Sequence, residues 1–472
     1  MLLPVLLAPV LAIEPGAVRT DTLATVLTPE TGKRILAFAN GGEQTPSQGV
    51  NSLKISSLHF FLLPTFMLDL LVKNARLDDY QASVDIGIVG EQITLLEADI
   101  TAPARVVLDA ENQFVCAGFY ETHIHLDKAC ILSRCPVQAG GKEEASQLTK
   151  EAKKDFTEQD VFARASRVIE MAIKKGTMGL RTFVETDPRA GLRSLAALKR
   201  VREVYAPAID IELCAFAQDG LTQEMATYEL LRQALQQGAD LVGGCPYTDP
   251  DRHVELIFDL AEEFEVNVDF HLDFDLNPAQ SGIPKIVEQT KQRGYQGRVS
   301  IGHVNKLSAM PPAQRAGLVQ LLLEAEIALT VLPATDLLMM GQEHTHLIPR
   351  GVVNAHELQA QGLLTTISSN NILNAFTPYG DASLVRMANL YANVAQLATD
   401  DEIRATYEMV TTNAARLLAR QARLQVGGPA TFVLLEASSA TEAIRTIAQP
   451  LLGYKNGRPT FTNPKAVLYP AV

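Results

Sequence analysis

No internal stretch of the chain is long and apolar enough to span a bilayer, so a helical membrane protein is excluded. Basic charge is not in excess either. Lys and Arg number 41 against 54 Asp and Glu, a formal charge of −13, which argues against a nucleic-acid binder with its basic face. Cysteine is sparse and patternless: Cys116, Cys130, Cys135, Cys214 and Cys245 are odd in number and form no CxxC. They read as buried thiols of a reducing, cytoplasmic compartment rather than as a disulfide framework. The phosphate-binding glycine loop and the Ser/His/Asp orders of known hydrolases are missing too. Tryptophan is absent, and nothing follows from that.

What is present is a core. The hydrophobic fraction is 47% and the charged fraction 20%, values of a globular protein with a large interior. At 472 residues the chain exceeds one ordinary domain, and a large barrel with a small attached domain accounts for it. Residues 1–13 resemble the apolar part of a signal peptide but carry prolines and lack both a basic start and a cleavage site. Residues 1–66 are therefore expected to be a poorly ordered extension or the product of a mis-set start. Residues 67–117 and 424–472 hold short alternating runs, at 68–72, 84–89, 93–97, 105–108 and 430–435, and an Asn456-Gly457 turn. These two flanks predict one small β-sandwich assembled from both ends of the chain.

Between the flanks, residues 118–423 alternate strand and helix. Strands are expected at 120–126, 180–185, 209–217, 241–247, 266–273, 298–303, 328–333 and 364–371, with helical stretches such as 158–175 between them. Eight such alternations predict an α/β fold, a (β/α)8 TIM barrel. The charge-rich run 142–154 reads as a solvated helix face, and Asp381 as a helix N-cap.

Polar residues suited to metal binding sit where these strands end: His123/His125, Glu185, Gln218, His271/Asp273, His303 and Asn370/Asn371. A strand points alternate residues to one face, so His123 and His125 can grip one ion. TIM barrels place their chemistry at that rim, and three imidazoles around a divalent ion leave a position open for water. His344 and His346 repeat the spacing but fall in a loop. His59, His253 and His356 read as structural residues, and Lys128 either meets substrate or solvates its loop.

The segments ETHIHLDK, RTFVETDP, ELCAFAQDG, DFHLD, GHV and FTPYG resemble the amidohydrolase superfamily. The likeness runs from about residue 68 to the C-terminus. It is strongest to the bacterial cytosine deaminase branch, to which N-isopropylammelide amidohydrolase is related. That resemblance implies one divalent ion, zinc or iron, held by His123, His125, His271 and a residue after strand eight. It also implies that His303 meets the attacking water, that Gln218 binds the amide edge of a heterocycle, and that Phe376 lies over the ring. The strand-four end, Cys245-Pro246-Tyr247, lacks the lysine of two-metal members.

Two departures stand out. Asn370 occupies the position of the family's metal-binding base aspartate, with Asn371 beside it, and a neutral amide is no general base. Phe274 occupies the position of the proton-shuttling glutamate, and Phe183 that of a frequent histidine. An active enzyme would then hydrolyse a C–N bond of a small heterocycle with Asp273, Asp275 or Glu185 moving protons. The alternative is a metal- or ligand-binding homologue impaired in catalysis. Barrels of this kind often assemble as homo-oligomers, and the composition leaves that open.

Overall fold

The structure, a computed structural model, describes residues 8–14, 17–27, 34–39, 67–249 and 251–469. The strands Ala8–Glu14, Ala17–Leu27 and Arg34–Ala39 pair antiparallel in a sheet of their own. The rest of the predicted extension, residues 1–7, 15–16, 28–33 and 40–66, lies outside the described residues.

Eight parallel strands follow one another around a single sheet. They are β1 (Phe119–Ile124), β2 (Thr177–Glu185), β3 (Asp210–Ala217), β4 (Leu241–Gly244), β5 (Asn267–Leu272), β6 (Val299–His303), β7 (Ala328–Val331) and β8 (Thr365–Ile367), and each pairs with the next. The ring closes between β8 and β1. Asn370 donates its backbone N–H to the His123 carbonyl at 2.9 Å, and His125 donates to the Asn370 carbonyl at 2.8 Å. Regular pairing of β8 stops at Ile367, short of the predicted 371, because Asn370 turns to φ 61°. Asn tolerates that left-handed region better than most side chains. Strand β4 also ends early, at Gly244, where Cys245 enters a turn ahead of Pro246, a residue with no N–H for a ladder.

Helices cover the barrel in the order the periodicity implies. The helix Glu158–Lys174 starts at Thr157, whose hydroxyl accepts from Asp160 N–H, and buries Val161, Ala165, Val168, Ile169 and Ala172 along one stripe. The helix after β8 runs Leu384–Ala395 and is capped by Ser383. Asp381 lies ahead of it, accepting from Ser383 N–H and Arg386, so the predicted N-cap is corrected. Inside the barrel Arg181 of β2 meets Asp269 of β5 at 3.0 Å and Ser300 of β6, an interior ion pair with hydrogen bonds that offset its desolvation.

The flanking strands build two small antiparallel sheets. One pairs Leu68–Ala75 with Val84–Val89 and that strand with Gln92–Glu97. The other sets Phe114–Cys116, from the first flank, against Phe432–Leu435, Pro450–Lys455 and Arg458–Thr462 of the second. Their inward residues, among them Val72, Ile86, Ile93, Val115, Phe432 and Leu451, share one core, as a sandwich requires. Among the described residues no helix is long and apolar enough to cross a membrane.

Candidate active site and metal centre

Strand alternation puts His123 and His125 on one face of β1, and β5 brings His271 beside them. The ligand nitrogens of His123, His125 and His271 all lie within 4.8 Å of one another. All three side chains are buried, and nitrogens on each of them have no hydrogen-bond partner. Burial, and then neighbouring positive charge, holds all three imidazoles well below their usual pKa, so their lone pairs are available. Buried nitrogens are rarely left without a partner, and a cluster of them fits a metal ion. The Asn370 Oδ1 is likewise buried and unpartnered, and its Nδ2 lies 3.5 Å from His303 Nε2.

Two phenylalanines wall this cluster. The Phe183 ring lies 4.2 Å from that of His123 and 4.8 Å from that of His271, and Phe216 lies 4.2 Å from His271. Together with Cys245 they fill the β2–β4 side of the barrel with apolar atoms.

A narrow cavity of about 20 Å³, room for about one water, opens beside the histidines. His125, His271, His303 and Asn370 line it, as do Lys128, Gln218, Asn371 and Phe376. The Lys128 ammonium sits 5.0 Å from the Phe376 ring centre. Phe274 also lines the cavity and packs its ring 4.3 Å from His303, so the residue in the glutamate's place is an apolar wall. Gln218 has its amide already engaged: Oε1 accepts from Lys128 at 3.2 Å and Nε2 donates to Cys245 Sγ at 3.3 Å. Asn371 is oriented by Asn374, whose amide donates to Asn371 Oδ1 at 2.7 Å.

The structure does not bring Glu185, Asp273 or Asp275 to the cavity. Both Glu185 oxygens are held by buried lysines, Lys128 at 2.6 Å and Lys153 at 2.7 Å. Burial alone would raise its pKa, but the two ammonium groups outweigh that and bring it down to about 2. Asp273, at φ 53°, turns away to accept from Ser281 Oγ at 2.6 Å and Gly282 N–H at 2.9 Å. Asp275 pairs with Lys306 at 3.3 Å. Each of these three carboxylates is thus engaged by a protein partner.

Two residues that matter here escaped the sequence reading. Lys153 belongs to the charge run read as solvated, yet its side chain is buried and bonds Glu185, Asp187 and Asp219 together. Nothing local distinguishes it from Lys150 or Lys154. Asp336 is fully buried and sits 2.7 Å from His303 Nδ1. Its signal was an acidic residue within a mostly apolar stretch after strand seven, Val331 to Leu338. His344 and His346 are exposed in their loop, and His356 bonds Tyr391.

Residues 106–461 match the amidohydrolase family over most of the chain. The chain belongs to the amidohydrolase family. This amidohydrolase is 27% identical to N-isopropylammelide isopropyl amidohydrolase of Pseudomonas sp. (strain ADP), over 83% of its own length and 96% of the relative's. It is 27% identical to a pterin deaminase of Rhizobium rhizogenes, over 72% and 79%. Among solved structures, the 5-methylcytosine deaminase of Klebsiella pneumoniae superposes with a TM-score of 0.80 at 27% identity, covering 85% of this chain and all of that one, 100%. As an amidohydrolase of this group it is a hydrolase of carbon–nitrogen bonds other than peptide bonds.

Proposed function

We propose that this amidohydrolase hydrolyses a C–N bond of a small nitrogen heterocycle, by deamination or amide cleavage, with one zinc or iron ion held by His123, His125, His271 and the Asn370 amide oxygen. The observation that carries the reading is the set of buried, unpartnered imidazole nitrogens converging within 4.8 Å, with the Asn370 oxygen also buried and unpartnered. Imidazole suits either metal. A divalent ion bound there supplies Lewis acidity and lowers the pKa of water towards ~7.

The protein's own groups do the rest. Phe376 offers a ring face to the heterocycle, and Lys128 and Asn371 offer N–H donors to its oxo or imine acceptors. Gln218 anchors Lys128 from behind rather than presenting a free amide edge. His303 faces the same cavity and is the group placed to pass a proton from the attacking water to the departing nitrogen. Phe274 and Phe183 keep bulk water from that exchange.

Metal analysis of the purified protein, paired with a screen for ammonia or amine release from pyrimidines, triazines and pterins, tests this. The expected result is one ion per chain and turnover of at least one ring. Stoichiometric metal without turnover of any ring supports the impaired, binding-only homologue instead, and absence of metal affinity sinks both.

A further inference from the structure

The four donors assigned to the metal are all neutral. Three are imidazoles, and the fourth is an amide at the position where a carboxylate would bring a negative charge. No carboxylate lines the cavity among the described residues. Glu185, Asp273 and Asp275 are tied to Lys128 and Lys153, to Ser281 and Gly282, and to Lys306. A divalent cation in such a site is poorly compensated.

Behind His303 the structure supplies what strand eight lacks. Asp336 is 0% exposed, with Oδ1 2.7 Å from His303 Nδ1, while its other oxygen accepts from Leu332 N–H at 3.1 Å. Among the described residues this is the one buried His–carboxylate pair. His303 is held hard. Its φ is 71°, Val304 follows at 48°, and the Phe274 ring lies 4.3 Å from its imidazole. Side chains rarely adopt that backbone region, and such strain persists only where the surroundings over-determine it. With Nδ1–H committed to Asp336, the Nε2 lone pair is left facing the cavity and the Asn370 amide nitrogen, 3.5 Å away.

We propose that Asp336 is a positioning residue that replaces, across His303, the negative charge missing at Asn370, and that locks His303 in the tautomer whose Nε2 is bare. The inference rests on the metal reading above and takes the charge one residue outward. A carboxylate bonded to His303 fixes that ring beside the cluster, and its negative charge favours a cation among the neighbouring imidazoles.

The test needs no substrate. Apoprotein is titrated with zinc against a competing chelator for wild type, Asp336→Asn, Asn370→Asp and the double variant. Asp336→Asn is expected to weaken zinc binding by about tenfold, through loss of its charge. Asn370→Asp is expected to strengthen it several-fold more in the Asp336→Asn background than in wild type, because two carboxylates are redundant there. Wild-type zinc affinity in Asp336→Asn, or the same gain from Asn370→Asp in both backgrounds, overturns the proposal. A second measurement reads the wild-type protein, so folding of the Asp336 and Asn370 variants is not at issue. The 15N spectrum of histidine-labelled apoprotein, with His303 assigned through His303→Gln, is expected to show the Nδ1–H tautomer. An Nε2–H tautomer overturns it. Zinc bound as expected but no heterocycle turned over would sink the catalytic reading and leave this one standing.

Discussion

The Nζ of Lys128 lies 2.6 Å from Oε1 of Glu185, and both side chains are almost wholly buried. Glu185 in turn meets Lys153, which also holds Asp187 and Asp219. A chain of buried charges therefore runs from the segment after the helix Lys142–Ala152 to the floor of the cavity. Lys128 keeps its place because Glu185 is itself held. Burial lowers the Lys153 pKa, but Glu185, Asp219 and Asp187 more than offset that and leave it above its ordinary value.

Lys153→Met is expected to be strongly destabilising although the residue lies outside the cavity. It leaves three carboxylates without their shared cation, and breaking a buried pair in this way costs about 3–5 kcal/mol. Urea denaturation checks it. A loss below about 1 kcal/mol would show the acidic groups to be compensated elsewhere.

Gly302 of β6 sits against the imidazole of His123, the first of the three clustered histidines. A Cβ there would lie 2.7 Å from His123 Cε1 and 2.9 Å from its Nδ1, closer than real Cβ atoms come. Gly302→Ala is expected to push the His123 ring aside and to weaken zinc binding by at least about tenfold, since ligand geometry is tightly set. Unchanged zinc affinity in a folded variant would mean that His123 is not a ligand.

Phe183→Ala opens the apolar wall of the cluster. Phe183 is fully buried against His123, His125, His271 and Phe216, and truncating such a ring costs about 3–5 kcal/mol. Thermal unfolding of apoprotein reads the loss. Metal retention should fall as well, because the three imidazoles lose the surface that orients them.

Glu121 gives the apoprotein a pH signature. Burial pushes its carboxyl from an ordinary 4.5 up to about 7, against hydrogen bonds from Ser369 and His123 N–H that act the other way. Because the folded pKa is the raised one, its contribution is fully present below about pH 4.5 and is lost as pH rises through about 7. The size is on the order of 3 kcal/mol. Glu121→Gln removes that slope, so its stability relative to wild type should improve between pH 5 and pH 8. Parallel denaturation curves for the two proteins across that range would contradict the assignment.

The barrel and its histidines were legible because both depend on local geometry. Strand and helix periods appear directly in the order of apolar residues, and a strand's twofold alternation turns His123 and His125 to one face whatever surrounds them. His271 and His303 could be placed at strand ends by the same reasoning. Partnership between distant side chains could not. Whether Glu185 faces the cavity or two lysines depends on Lys153, 32 residues earlier, folding inward. Whether Asp273 points to the site depends on a left-handed turn that hands it to Ser281.

Taken alone, then, the amino-acid order determined the element sequence, the barrel and the convergence of three imidazoles, because backbone periodicity sets side-chain direction. Tertiary structure decided which carboxylates are free. An ion pair or hydrogen bond forms only between groups that barrel closure brings within about 3 Å, and neither the pairing of Asp336 with His303 nor that of Lys153 with three acids is written in local pattern.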